Sequence, residues 1–150
     1  MRKKERQLSA DAAVSIAEKG EYGILSTVSP DNEPYGVPLN YCYVNQSIYF
    51  HCAVEGQKLD YISCNPKVSF CIVGETEVQP EKFTAKFESC IVFGTAAEVF
   101  GEEKRMALES LIGKYAGKFQ AEGLEYIRSR GEKTRVMKIV PDILSGKANK

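Results

Sequence analysis

The chain has no tryptophan and only one histidine, His51, in 150 residues. With one histidine and five scattered cysteines (Cys42, Cys52, Cys64, Cys71 and Cys90), there is no C-x-x-C pair and too few clustered ligands for a zinc site. The odd cysteine number argues against a disulfide framework, and several cysteines fall in strand patterns, where a free thiol packs as a small hydrophobe. No metal centre is expected. Excess charge is missing as well: 20 basic residues balance 20 acidic ones. Electrostatic capture of nucleic acid or of an anionic membrane is therefore excluded as the main activity. No apolar run approaches the ~18 residues of a membrane span, and the first residues contain no signal-peptide apolar region, so a cytoplasmic protein is expected. The G-x-G-x-x-G and G-x-x-x-x-G-K-[ST] phosphate loops, the G-x-S-x-G elbow and the H-E-x-x-H pair are all absent.

What is present reads as one soluble domain, residues 1–150, with 43% hydrophobic and 27% charged residues. A basic stretch, Arg2 to Arg6, opens a polar N-terminal tail over residues 1–8, expected to be solvated. Ser9 has the chemistry of an N-cap for a helix over residues 10–19, stopped by Gly20. Strands are expected over residues 21–28, 35–44, 48–53, 67–74, 84–100 and 134–140. Pro38 places the second at an edge or a bulge, because it cannot donate a ladder hydrogen bond. Gly94 marks a bend in the fifth. "ETEVQPEKF" reads as a polar loop, and "SGKANK", residues 145–150, as a mobile tail. Short helices follow the third strand, residues 57–63, and precede the last, residues 121–130. Between them a longer one over residues 102–116 presents Met106, Leu108, Leu111, Ile112 and Tyr115 at core spacing. Six strands joined mostly by hairpins, with helices at the edges, predict a mainly β (α+β) fold, a small closed barrel with flanking helices.

One stretch carries chemistry. In "IYFHCAVEGQKLDYI", Ile48, Phe50 and Cys52 alternate with Tyr49 and His51, giving a strand with one apolar face and a titratable residue on the other. Gly56, Gln57 and Lys58 then start a helix, where free backbone N–H groups, a permissive glycine and a flexible cation suit a phosphate. Glu55 opposes an anion there, and an ordinary helix start explains the same residues. His51 by itself fits three roles: a hydrogen-bonded strand residue, a proton donor beside a flavin, or the axial ligand of a haem.

Taken with "GILSTV", "PYGVPLNYCYV" and "FTAKFESCIVFGTAAEV", this stretch resembles the FMN-binding split β-barrel superfamily related to pyridoxamine 5′-phosphate oxidase. Within it the nearest likeness is to nitroimidazole-resistance (Nim-type) reductases. The resemblance runs from the basic opening to about Tyr115. It implies a six-stranded antiparallel split barrel and a homodimer with FMN at the subunit interface. Leu39, Asn40 and Tyr41 would run beside the flavin ring, Phe50, His51 and Cys52 would line the next strand, and Gly56, Gln57 and Lys58 would hold the phosphate. Ser89 matches a further flavin-contacting position. His51 would be the catalytic residue. The oxidases place an Arg-Lys pair where this chain has Gln57-Lys58, so Arg2 or Arg6 would have to supplement the charge. Their Arg- and Trp-bearing terminal segment is also missing, so oxidation of pyridoxamine phosphate is not expected. The implied activity is reduction of a small electrophile, nitroaromatic or quinone-like, by a reduced nicotinamide or another donor. A non-catalytic flavin carrier or sensor and a haem-binding barrel using His51 are the alternatives.

Overall fold

The computed structural model describes residues 3–149. Helix α1, Ala10–Lys19, starts where Ser9 accepts the Ala12 N–H at 3.3 Å, and it buries Ala13, Ile16 and Ala17. Seven strands follow: β1 (Gly23–Val28), β2 (Pro34–Leu39), β3 (Cys42–Val44), β4 (Ser47–Cys52), β5 (Lys67–Gln79), β6 (Thr84–Val99) and β7 (Arg135–Asn149). Helix α2, Gln57–Cys64, links β4 to β5; α3 (Gly101–Ala116) and α4 (Gln120–Arg130) lie between β6 and β7. All recorded pairings are antiparallel, in the order β2-β1-β5-β6-β7-β4-β3. The fold is thus a mainly β, split-barrel type with flanking helices. The closed barrel expected from the sequence is not formed: the sheet ends on β2 and β3, and among the described residues no ladder joins those two edges.

Four further expectations need correction. There are seven strands rather than six, because the segment over residues 35–44 breaks at Asn40–Tyr41 and sends its halves to opposite edges of the sheet. "ETEVQPEKF" is no simple loop: β5 and β6 continue as a hairpin arm, pairing Thr76 with Phe87 and Gln79 with Thr84. Most of that arm is exposed, so no apolar alternation marked it. Residues 145–149 form no mobile tail but the end of β7, paired with β6 through Asn149 opposite Phe87. Within residues 1–8, Lys4–Arg6 form a 3₁₀ turn, Gln7 bridges to Lys147, and the Leu8 N–H donates to the Gly146 carbonyl at 3.0 Å. Arg2 lies outside the described residues. Pro38 does stand on an edge strand, and the ladder slips between Phe93 and Gly94 as the bend required.

Two cores sit on opposite faces of β4. Ile48, Phe50 and Cys52 join Leu25, Phe70, Ile72, Val92 and Ile139 inside the barrel. Tyr49 points the other way, into a smaller core with Val99, Leu108, Leu111 and Val136 beneath α3. Burying a side chain of this size contributes roughly 1.5–3 kcal/mol, so β4 is anchored from both sides. Tyr49 donates to Glu103 at 2.8 Å, and Lys138 donates to the same oxygen at 2.8 Å, fastening α3 to the sheet. Those two bonds hold the Glu103 carboxyl below its ordinary range.

Candidate functional site

His51 stands one step beyond Tyr49 on the same face of β4, where the helical core ends and solvent begins. It lines an apolar cavity of about 200 Å³ together with Asn40, Leu111, Tyr115, Tyr126 and Arg130. The imidazole pKa is lowered from 6.5 by partial burial against this wall, so the ring is neutral at pH 7. Asn40 reaches the same cavity because the chain turns there from β2 toward β3.

Tyr115 fixes that turn. Its hydroxyl accepts the Tyr41 N–H at 3.0 Å and donates to the Glu21 carbonyl at 2.5 Å, tying α3 to both ends of β1–β2. Behind it, Tyr41 is buried and donates to the Ala17 carbonyl at 2.7 Å. Burial raises its phenol pKa well above the ordinary value. The Lys114 ammonium packs over the Tyr41 ring, 3.8 Å from its centre, and burial lowers its pKa. Among the described residues it has no hydrogen-bond partner.

A second group of residues gathers where β4 ends. Gly56 caps α2 with φ of 140°, a conformation that side chains rarely adopt, and nothing lies within 4 Å of where a Cβ would stand. The N–H groups of Leu59 and Asp60 return to the Gly56 carbonyl, which leaves those of Gln57 and Lys58 at the open helix start. Lys58 and Arg135 both act on the Cys52 thiol by lowering its pKa, although burial outweighs them and raises it. Arg135 pairs with Glu98 and donates to the Val54 carbonyl at 3.3 Å, so a cation from β7 reaches the β4–α2 loop. These features suit one phosphate group: an open backbone cradle, a dipole end and two cations. Against them stand Glu55 and the partial neutralisation of Arg135 by Glu98.

Asn40 and His51 thus share a cavity, while Gly56, Gln57 and Lys58 form the adjoining helix start. The other five expected contacts, and the Gln57 side chain, are directed elsewhere. The side chains of Tyr41, Phe50 and Cys52 face the barrel interior, and the Tyr41 N–H and carbonyl are already engaged by the Tyr115 hydroxyl. The Gln57 amide is already engaged, donating to the Tyr61 hydroxyl at 2.6 Å. Leu39 packs against the barrel core while also bordering a shallow depression beside Asn40. Ser89 lies on the outer face of β6 with Ile91 and Phe93, away from the cavity that His51 lines. Arg130, Tyr126 and Arg135 were not anticipated from sequence. Nothing local marks them, because each is brought in by a contact far along the chain.

The family model for pyridoxamine 5′-phosphate oxidase matches residues 9–148, and the chain belongs to that family. No curated protein matches it. Among solved structures it is similar to a 5-nitroimidazole antibiotic resistance protein of Bacteroides thetaiotaomicron, at 20% identity and TM-score 0.76, covering 96% of this chain and 90% of that one. An FAD- and haem-binding protein of Mycobacterium smegmatis aligns at 16% identity and TM-score 0.83, over 97% of this chain and 74% of the other. An FAD-binding protein of Mesorhizobium loti aligns at 21% identity and TM-score 0.68, over 97% and 98%. Identities this low establish the shared fold. No helix among the described residues is long and apolar enough to cross a membrane.

Proposed function

We propose that this chain is an FMN-dependent oxidoreductase that works as a cytoplasmic homodimer and reduces small electrophiles of nitroaromatic or quinone type. The observation that carries this reading is the juxtaposition of His51 and Asn40 on one apolar cavity with an open, glycine-started helix on the same chain turn. Gly56, the Gln57 and Lys58 N–H groups, Lys58 and Arg135 would hold the phosphate. One helix start with two cations suits the single phosphate of FMN. When bound, the flavin supplies two-electron transfer; the protein supplies position and electrostatics. A reduced nicotinamide gives up a hydride, and a quinone acceptor takes the two electrons with two protons to become a hydroquinone. His51, neutral and at the cavity wall, is placed to hold or pass one of those protons.

Dimerisation is supported by the outer face of the sheet. Ile91, Phe93, Val140 and Ile143 are 37%, 51%, 49% and 59% exposed on adjacent strands, and Phe93 lies directly opposite Ile143. A contiguous apolar face of this kind calls for a partner. Ser89 shares it, so a second copy is what would bring Ser89 to a flavin.

The visible spectrum of the purified protein, before and after FMN reconstitution and removal of excess, tests the reading. A bound-flavin spectrum that reduced nicotinamide bleaches is expected. A flavin that no nicotinamide bleaches overturns the catalytic role in favour of a carrier or sensor. A haem band makes His51 an axial-ligand candidate, and no chromophore after reconstitution refutes the flavin site.

A further inference from the structure

The cavity beneath α3 and α4 has a charge pattern that the reading above leaves unused. Of its lining residues only Arg130 carries a formal charge at neutral pH, since no carboxylate lines it and the His51 pKa is lowered. Arg130 closes the C-terminal end of α4, and its guanidinium carbon lies 5.5 Å from the centre of the Tyr126 ring. Arg128, on the same helix, pairs with Glu125 at 3.4 Å, whereas no ion pair involving Arg130 is found among the described residues. Apart from Asn40, His51 and Thr134, the rest of the wall is apolar or aromatic, including Leu111, Tyr115 and Tyr126.

Volume narrows the occupant. An apolar cavity of roughly 150 Å³ accepts benzene, so about 200 Å³ suits one substituted aromatic ring. A nucleotide or a porphyrin is far too large to be enclosed there. A flat ring against the Tyr126 ring gains stacking and apolar burial. A planar guanidinium at one end matches a carboxylate with two parallel hydrogen bonds.

We propose that this cavity selects flat aromatic acids, with Arg130 pairing the carboxylate and Tyr126 stacking against the ring, and that those bearing a nitro group are the preferred acceptors: two electrons from the reduced nicotinamide and two protons convert the nitro group to nitroso and water. The acceptor role rests on the flavin reading; the ligand class does not. Arg130 is the specificity-determining residue, and α4 is the element that carries it.

The test is equilibrium binding of two probes, 4-nitrobenzoate and nitrobenzene, to flavin-free protein by calorimetry. Wild type is expected to bind 4-nitrobenzoate more tightly. Arg130→Gln should weaken 4-nitrobenzoate about tenfold, as expected for loss of a charge-assisted pair near the surface, and leave nitrobenzene unchanged. Arg130→Lys should retain part of the preference. Arg128→Gln, which removes an equal charge already paired with Glu125, should change neither probe. Both arginines are exposed, so each variant should fold. Equal affinity of wild type for the two probes overturns the proposal. So does an equal loss of 4-nitrobenzoate in the Arg128 and Arg130 variants, which would mean a diffuse charge effect. FMN reconstitution of the same samples separates the two readings. An Arg130-dependent acid preference in a protein that never takes up flavin keeps the ligand class and refutes the oxidoreductase. Flavin uptake without that preference overturns only the proposal made here.

Discussion

Tyr115→Phe isolates the contact that shapes the cavity, because it keeps the ring and removes only the hydroxyl. That oxygen serves three backbone groups: it accepts the Tyr41 N–H at 3.0 Å, donates to the Glu21 carbonyl at 2.5 Å, and lies 3.0 Å from the Tyr41 carbonyl. Without it the Tyr41 N–H loses its partner beside a buried ring. An unsatisfied buried donor costs about 1–3 kcal/mol. The Tyr115 side chain is 38% exposed, so water can replace part of the bond and the lower half of that range applies, about 1–2 kcal/mol. For a chain of this size each kcal/mol moves Tm by roughly 2–4 °C, which predicts a fall of about 2–8 °C.

Thermal unfolding followed by circular dichroism measures this directly. Tyr126→Phe is the control: it lines the same cavity, but among the described residues its hydroxyl makes no hydrogen bond. A drop in Tyr115→Phe with none in Tyr126→Phe assigns the loss to the backbone tie. Equal Tm values for Tyr115→Phe and wild type would refute the claim that this hydroxyl holds the β2–β3 turn in place. In that case Asn40 would have to be positioned by the sheet ladders alone.

His51→Ala should retain FMN and lose turnover; unchanged turnover removes His51 from the chemistry. Lys58→Ala should weaken FMN binding instead, by about 1 kcal/mol if the contact is water-exposed and up to about 4 if it is half-buried, read as flavin released on dilution. Equal retention refutes the phosphate assignment. A folded-state pKa below 6.5 for His51 means that the unfolded chain takes up the proton first. Stability is therefore lost as pH falls from 6.5 toward the folded-state value, and His51→Gln should flatten that part of a Tm-against-pH curve; identical curves refute the burial argument. Gly94→Ala should destabilise by about 1–3 kcal/mol, since a Cβ would land on the Val140 carbonyl oxygen at the β6–β7 bulge. Gly113→Ala, with open space around it in α3, should instead stabilise by about 0.5–1 kcal/mol, so a denaturation midpoint that moves the same way for both would contradict the packing described.

What could be read from the sequence divides along physical lines. The start of α1 was legible because its signal is local: Ser9 caps, and Gly20 stops the helix within one turn of the last apolar residue. The alternation of β4 was legible for the same reason. That its far face carries a second core was not, because the covering residues, Leu108 and Leu111, lie more than 50 positions away in sequence. The end of β7 was misread because "SGKAN" has the composition of a tail. Its small residues serve close packing instead: a Cβ on Gly146 would stand 2.7 Å from the Ala13 Cβ, so glycine is what lets α1 lie on the strand. Arg135 escaped for a third reason. Its role comes from standing opposite Cys52 in the β4–β7 ladder, a register that no local pattern encodes. The helix start at Gly56 was legible as chemistry, while its cradle became visible only with the φ angle and the open space around it.

The two walls of the cavity are built to different tolerances. His51 sits on a strand whose neighbours are locked from both sides, Phe50 and Cys52 in the barrel and Tyr49 beneath α3, so its backbone is held firmly. Asn40 is held by the ladder on one side and by the Tyr115 tie on the other. The opposite wall is different in kind. Helix α4 packs Ile127 against the core beneath α3, but Tyr126 and Arg130 are exposed, so those two side chains contribute little to folding. Substitutions at Tyr126 or Arg130 would therefore change what enters the cavity at small cost in stability, whereas substitutions around His51 would cost the fold. If His51 carries the chemistry and Arg130 the selection, one barrel can keep its reactive wall while its selecting wall is replaced. On that argument, relatives should differ most in the segment corresponding to residues 117–133 and least around β4, and the reactive side of the site should outlast any change in its substrate.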